Sequence, residues 1–233
     1  MKTTIFKNIK AIAFDADDTM WINEPYFQQI ESKFCKLLED FATHHAISQE
    51  LLKTEIQNLS IYGYGVKGYM LSMIEAAMNI SNKKISMDVI ERAIEYGKDM
   101  LSKPVELIDD IEQVLVQLKT KYKIVVATKG DLLDQEQKLK RSGLENHFHH
   151  IEVMSDKKEE DYKKLIKHLD ILPSEFLMIG NSLKSDVLPV LALGGHAIHI
   201  PFHTTWEHEK IHHQVEHDNF MSLNKISEIM DFL

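Results

Sequence analysis

The chain has 233 residues, 44% of them hydrophobic, which is enough to bury a large core as one domain with an insert or as two small domains. Its formal net charge of −9 argues against a nucleic-acid surface, which needs clustered Lys and Arg against phosphates. A single cysteine forbids an intramolecular disulfide and suits a reducing, cytoplasmic setting; no apolar run approaches the ~20 residues of a membrane span, and the N-terminal stretch is too short for a signal peptide.

The first element is an apolar run near 10–15. Ala11, Ile12, Ala13 and Phe14 read as a buried strand, which ends abruptly in Asp15-Ala16-Asp17-Asp18-Thr19. Side chains two apart on an extended backbone point the same way, so Asp15 and Asp17 can face one ligand. Two carboxylates in one small site repel unless a cation lies between them or one takes a proton. One can then attack as a nucleophile while its neighbour handles the proton. Taken alone, the same residues also fit a strand end followed by an acidic turn.

From about 20 to 103 the pattern is helical throughout. Phe27, Ile30, Phe34, Leu37 or Leu38, and Phe41 recur every three to four residues. So do Val66, Tyr69 or Met70, Met73 or Ile74, and Ala77; Val89, Ile90, Ala93 and Ile94 begin another stripe. Cys35 falls on an apolar helix side and reads as core. Pro25 and Pro104 punctuate the linkers at 20–25 and 102–105, and Trp21 reads as a packing anchor at the first. Between the helical stripes, residues 61–69 pack three glycines, three tyrosines and Lys67 into a tight loop. Tyr64 and Lys67 there could meet the organic part of a substrate, or fill the unit's own core.

Strand-like runs then fall near 123–127, 150–154, 175–180 and 196–200, with helical patterns between them. Such alternation predicts a parallel sheet with helices on both faces. Open parallel sheets bind ligands outside the carboxyl ends of their strands. There the chain places Thr128-Lys129-Gly130, then Lys157 ahead of a helix over 159–168, then Gly180-Asn181 with Asp186 six residues past the glycine. His147, His149 and His150 read as a solvated approach to the third strand. His208-Glu209-Lys210-Ile211-His212 matches a zinc-hydrolase pattern, but its polar, His-rich surroundings favour adventitious zinc or nickel over catalysis. Trp206 and Glu209 are candidates for the rim of a site.

Two carboxylates, a hydroxyl, an ammonium and an amide–carboxylate pair, in this order at strand ends, resemble the four motifs of the haloacid dehalogenase superfamily. The resemblance covers nearly the whole chain. It implies an α/β fold, a Rossmann-like doubly wound parallel sheet core at 1–20 and 104–233, with an all-helical cap inserted at 21–103. It implies a Mg²⁺-dependent phosphatase acting on a small phosphorylated metabolite, with no nucleic-acid or membrane partner. Asp15 would be the nucleophile and Asp17 the general acid/base. Thr128, Lys129, Gly130 and Lys157 would bind the phosphoryl group. Asp15, the Asp17 carbonyl, Asn181 and Asp186 would surround the metal.

Two positions depart from the usual motifs. Asn181 stands where an aspartate is common, which removes a charge from the metal site or leaves the residue hydrogen-bonding behind it. Lys129 replaces a small polar residue, and either adds charge to the phosphate site or points to solvent. Lys158 rivals Lys157, though spacing to Tyr162 favours Lys157. Within the fold, a dehalogenase needs neither Asp17 nor a metal, and a phosphomutase differs by excluding water. From a different functional class, the competing reading is a non-catalytic module that binds a phosphorylated metabolite.

Overall fold

The computed structural model describes residues 6–233. Residues 1–5, where the expected core segment 1–20 and the stretch weighed as a signal peptide both begin, lie outside the described residues. The strands are β1 (Ala11–Phe14), β2 (Lys123–Lys129), β3 (Ile151–Met154), β4 (Phe176–Gly180), β5 (His196–His199) and β6 (Phe220–Ser222). They form one sheet in the order β3-β2-β1-β4-β5-β6, and every neighbouring pair is parallel. The expected α/β sheet is therefore present, with one strand more than the sequence predicts. β6 escapes prediction because it is three residues, Phe220-Met221-Ser222, without an apolar run of its own. Its register against β5, Ala197 opposite Phe220, makes it a strand.

β1 and β4 are buried at every residue, as expected of strands covered on both faces. Alternate side chains feed two cores. Ile12, Phe14, Ile124, Val126, Leu177 and Ile179 face one side, with Ile111, Leu115 and Leu118 of α5 (Ile111–Leu118). Ala11, Ala13, Val125, Ala127, Phe176 and Met178 face the other, with Tyr162 and Leu165 of α7 (Glu159–His168) and Val190 of α8 (Leu188–Ala192). The small Ala11, Ala13 and Ala127 leave room for the ring of Tyr162, whose hydroxyl donates to the Ser185 carbonyl at 2.9 Å.

The sequence order of the strands reverses at β1, which lies between β2 and β4. The crevice outside the carboxyl ends of strands at such a reversal is the usual ligand site of an open α/β sheet. Asp15, Thr128 and Asn181 leave β1, β2 and β4 at that edge.

The chain divides into two compact units. One comprises residues 1–24, 105–129 and 135–233 and holds the sheet; the other comprises 25–104 and 130–134. The second unit is helical: α1 (Glu24–Leu37), α2 (His44–Tyr62), α3 (Val66–Ile80) and α4 (Met87–Ser102). Its core contains Ile30, Phe34, Leu38, Leu51, Met73, Ala76, Ala77 and Ala93. Phe41 does not extend the first stripe: α1 ends at Leu37, and Phe41 is 44% exposed in the following turn. Thr43 caps α2, its hydroxyl accepting from the Ala46 N–H. The glycine-rich loop has the expected freedom, with Gly63 at φ 71° and Gly65 at φ 104°. Gly130–Asp134, expected in the sheet-bearing part, belongs to the helical unit, where Gly65 lies against the Asp131 backbone.

Tyr162→Phe keeps the buried ring and removes the hydroxyl that satisfies the Ser185 carbonyl. Urea unfolding should show a loss of about 1–2 kcal/mol; unchanged stability would mean that this bond does not hold the turn before Asp186.

Candidate active site

Asp15 follows the last residue of β1, and its N–H still donates to the Ile179 carbonyl at 2.8 Å, so the carboxylate sits on the sheet's rigid edge. Asp15, Thr128, Lys157 and Asp186 are all buried. Lys157 brings three of them together. Its ammonium donates to Asp15 Oδ1 and, at 2.6 Å, to Asp186 Oδ1. The other Asp15 oxygen accepts from the Thr19 hydroxyl at 3.1 Å, and the other Asp186 oxygen from the Ser182 N–H at 2.9 Å. Lys158 is not the partner: it turns to solvent and pairs with Asp156 at 2.5 Å. Lys157 adopts φ 43°, a left-handed conformation that non-glycine residues take only when their surroundings hold them there. Gly180 is required for a different reason. A Cβ there would stand 2.2 Å from Asp186 Oδ2.

One ammonium lies between two buried carboxylates, so the cluster retains one negative charge when all three ionise. Burial pushes the Asp15 carboxyl up to about 7 against the opposing pull of Lys157, and the negative Asp186 adds to the rise. Burial disfavours charge on Lys157 too, but Asp15 and Asp186 outweigh it and keep the ammonium charged.

Asp17, two residues on, faces away from this cluster. Its Oδ1 accepts from Trp21 Nε1 at 2.8 Å and Lys138 Nζ at 3.0 Å, and its Oδ2 from Gln135 Nε2 at 2.7 Å. Burial raises its pKa, but Lys138 and these hydrogen bonds overcome that and hold the carboxyl below its ordinary range. Gln135 and Lys138 lie three apart on α6 (Leu132–Arg141), on one face of the helix. The adjacent Asp18 serves the backbone instead. Its carboxylate accepts from the N–H groups of Asn23 and Glu24, where the chain enters α1.

Thr128 reaches the sheet edge by the β1–β2 register, in which Phe14 faces Val126. Its hydroxyl donates to the Lys129 carbonyl at 3.1 Å. Lys129 does not point to solvent. Its ammonium contacts Glu209 Oε1 at 2.6 Å and Ser185 Oγ at 2.9 Å. The other Glu209 oxygen accepts from Ser182 Oγ at 2.5 Å and Ser185 Oγ at 2.6 Å. Burial opposes ionisation of Glu209, yet Lys129 and the two hydroxyls hold its pKa down to about 2. Glu209 is thereby withdrawn from the zinc-like pattern, and Glu207–Glu209 is a single 3-10 turn rather than the helix a zinc hydrolase requires.

Gly130, Tyr64 and Lys67 fall in the helical unit. Gly130 has φ 124°, and Lys67 pairs with Asp131 at 2.8 Å. Of the predicted residues, Asp15, Asp17, Thr128, Lys129, Lys157, Asn181 and Asp186 belong to the sheet-bearing unit. Sequence patterns missed Gln135, Lys138, Ser182 and Ser185. The signal available for the first two was their spacing on the helix after β2, which otherwise reads as a solvated surface.

Asn181 tests whether a hard cation fits. One end of its amide stands 3.2 Å from Asp15 Oδ2 and 3.3 Å from both the Asp17 carbonyl oxygen and Thr19 Oγ. With nitrogen there, the amide donates to these oxygens. With oxygen there, several acceptors face one another, an arrangement that a cation stabilises. The surrounding donor set is oxygen only and carries excess negative charge, which suits Mg²⁺.

A family model described as haloacid dehalogenase-like hydrolase matches residues 9–194, and the chain belongs to that family. The chain is similar to the N-acylneuraminate-9-phosphatase of Homo sapiens, 20% identical over 195 residues and covering 77% of each protein. The match to the mouse phosphatase is 26% over 86 residues, and the chain spans only 35% of that protein's length. A haloacid dehalogenase-like family hydrolase from Xanthomonas campestris is 37% identical with a TM-score of 0.84, covering 95% of this chain and 88% of that one. The 2-haloacid dehalogenase of Pseudomonas syringae shares the fold at 15% identity and a TM-score of 0.63, covering 96% and 97%.

Lys157→Met leaves Asp15 and Asp186 buried without their cation and should cost about 3–5 kcal/mol near pH 8. Without the ammonium, burial and the neighbouring Asp186 hold the Asp15 carboxyl still higher in the folded chain than in the unfolded one. The folded state binds more protons, so the variant should regain stability as pH falls through 7 toward 5. Urea unfolding across that range checks the sign; a loss independent of pH would contradict it.

Proposed function

We propose that this haloacid dehalogenase-like hydrolase is a Mg²⁺-dependent phosphatase for a small phosphate monoester. The observation that carries this reading is the placement of two carboxylates with opposite environments. Asp15 lies beside Lys157 at the sheet edge, and Asp17, two residues on, is held by a separate set of donors. Dehalogenation needs no second carboxylate at that position, whereas phosphoryl transfer uses it for the proton.

A phosphate dianion cannot approach Asp15 and Asp186 unaided. Mg²⁺ held by Asp15, the Asp17 carbonyl, Asp186 and the Asn181 oxygen would supply the missing positive charge. An Asp15 oxygen attacks phosphorus, the bond from phosphorus to the ester oxygen breaks, and an aspartyl phosphate forms. The Thr128 hydroxyl and Lys157 ammonium donate to the phosphoryl oxygens, where charge shifts in the transition state. Asp17 gives the leaving oxygen its proton. It then takes a proton from the water that attacks phosphorus and restores Asp15. To act, the Asp17 side chain leaves Lys138, Gln135 and Trp21, because a carboxylate held there is ionised and carries no proton to give.

The helical unit serves as a cap that limits the substrate to small molecules, with Tyr64 and Lys67 as candidate contacts. Gly130 and the nearby amides can add donors to the phosphate. The named activity of the human and mouse relatives makes a phosphorylated sugar acid a first compound to try. No helix among the described residues is long and apolar enough to cross a membrane; the cytoplasmic setting rests on the lone cysteine, which suits a reducing compartment. The second reading is a phosphometabolite-binding module without turnover. The uncharged Asn181, able to donate to the oxygens that would hold the metal, is what favours it.

Phosphate release from p-nitrophenyl phosphate and from a panel of small monoesters tests the assignment. Activity should require Mg²⁺ and disappear with EDTA, and Asp15→Asn should lower it by at least about 10³-fold. No release from any ester would move the assignment to the binding module. Separately, Lys138→Met removes the cation that depresses Asp17. The Asp17 pKa should rise, and the pH optimum of kcat/KM should move upward with it. An unchanged profile would disconnect Lys138 from the proton transfer.

A further inference from the structure

A second cluster lies at the outer edge of the sheet. β3 is the edge strand, and the chain enters it through His150. His150 and Glu152 are two residues apart on extended backbone and therefore share a face. α7 follows β3 and ends at His168, which returns beside them. His150 Nε2 and His168 Nδ1 each stand 3.8 Å from Glu152 Oε2, and the three ligand atoms lie within 4.8 Å of one another. The sequence suggests a solvated approach here, but the side chain of His150 is only 24% exposed. Its Nε2 is buried without a hydrogen-bond partner.

We propose that His150, Glu152 and His168 bind a divalent transition-metal ion of the zinc class at the edge of the sheet. Two imidazole nitrogens and a carboxylate oxygen are a borderline-soft set that prefers Zn²⁺ or Co²⁺ to Mg²⁺. A ligating imidazole must present a lone pair, so the proton on His150 must sit on the other nitrogen. That nitrogen, Nδ1, is 2.8 Å from His149 Nδ1. His149 can accept the proton's hydrogen bond and fix the tautomer that leaves His150 Nε2 free to bind. An ion at about 2.0–2.1 Å from each ligand requires the three side chains to draw together slightly. Glu152 and His168 have side chains 34% and 70% exposed, so they can move and the ion can enter. Three protein ligands leave a fourth position for water. The site would join β3 to the last residue of α7, the two elements that flank the loop carrying Lys157. The His-rich segment at 208–217 is the obvious competitor. Among the described residues, however, the converging group is this one, and Glu209 is occupied by Lys129.

Co²⁺ titration with Mg²⁺ in excess reads the site directly, because four-coordinate Co²⁺ with nitrogen ligands absorbs strongly in the visible while six-coordinate oxygen sites absorb weakly. The intact chain should develop the strong bands, saturate at one equivalent, and lose them to Zn²⁺. His168→Ala, at an exposed helix end that does not threaten folding, and Glu152→Gln should each abolish or greatly weaken the bands. His149→Phe should weaken Co²⁺ binding by about 10–100-fold. The double variant His208→Ala/His212→Ala should titrate like the parent. Absent bands, bands that survive His168→Ala, or bands lost only in the His208/His212 variant would overturn the proposal.

Discussion

The contact of the Lys157 ammonium with Asp15 and Asp186 is the constraint around which the sheet's carboxyl edge is organised. Burial raises the Asp15 carboxyl, the negative Asp186 beside it adds to the rise, and without an opposing cation Asp15 would be harder still to ionise. The ammonium holds them together, and the structure accommodates it at some cost. Lys157 takes a left-handed backbone conformation, and position 180 must lack a side chain so that Asp186 can approach. The charge left over, one negative against an oxygen-rich surround, is what a divalent cation would reverse before a phosphate dianion could enter.

A second layer of ion pairs keeps neighbouring polar groups from competing with this one. Lys129 could have been a rival cation, but Glu209, itself fixed by Ser182 and Ser185, binds it. Asp17 could have been a rival carboxylate, but Lys138, Gln135 and Trp21 draw it aside. The site thus separates two acidic residues that are near neighbours on the strand extension into different electrostatic environments. As they stand, burial raises Asp15 while Lys138 and its companions depress Asp17, so the proton-transfer role of Asp17 requires it to leave these donors.

The sheet and most of its edge were legible in the sequence because each depends on short-range pattern. A buried parallel strand is a continuous apolar run, and Asp15, Thr128 and Asn181 sit at the ends of such runs. Asp186 is placed by its spacing from Gly180, and Lys157 by its spacing from Tyr162 as the family resemblance implies. The rest depends on contacts between residues distant in the chain. Gln135 and Lys138 lie on a helix whose composition resembles a solvated surface. Glu209 sits 80 residues from Lys129, within a pattern that suggests a different chemistry. The contacts of Lys129 with Glu209 and Ser185, which keep its ammonium from solvent, could not be read from the chain. β6 was too short to register as a run. His150 and His168 converge only because α7 returns the chain to the edge of β3.

The central claim is that Asp15 carries the phosphoryl group while Asp17 moves protons. The most direct measurement is a rapid acid quench of Asp17→Asn with Mg²⁺ and p-nitrophenyl phosphate, whose leaving group departs without needing a proton. The expected result is a burst of one equivalent of nitrophenolate followed by arrest, with phosphate mapped to Asp15 by mass spectrometry. Turnover without phosphate on Asp15, or phosphate on another residue, would contradict it.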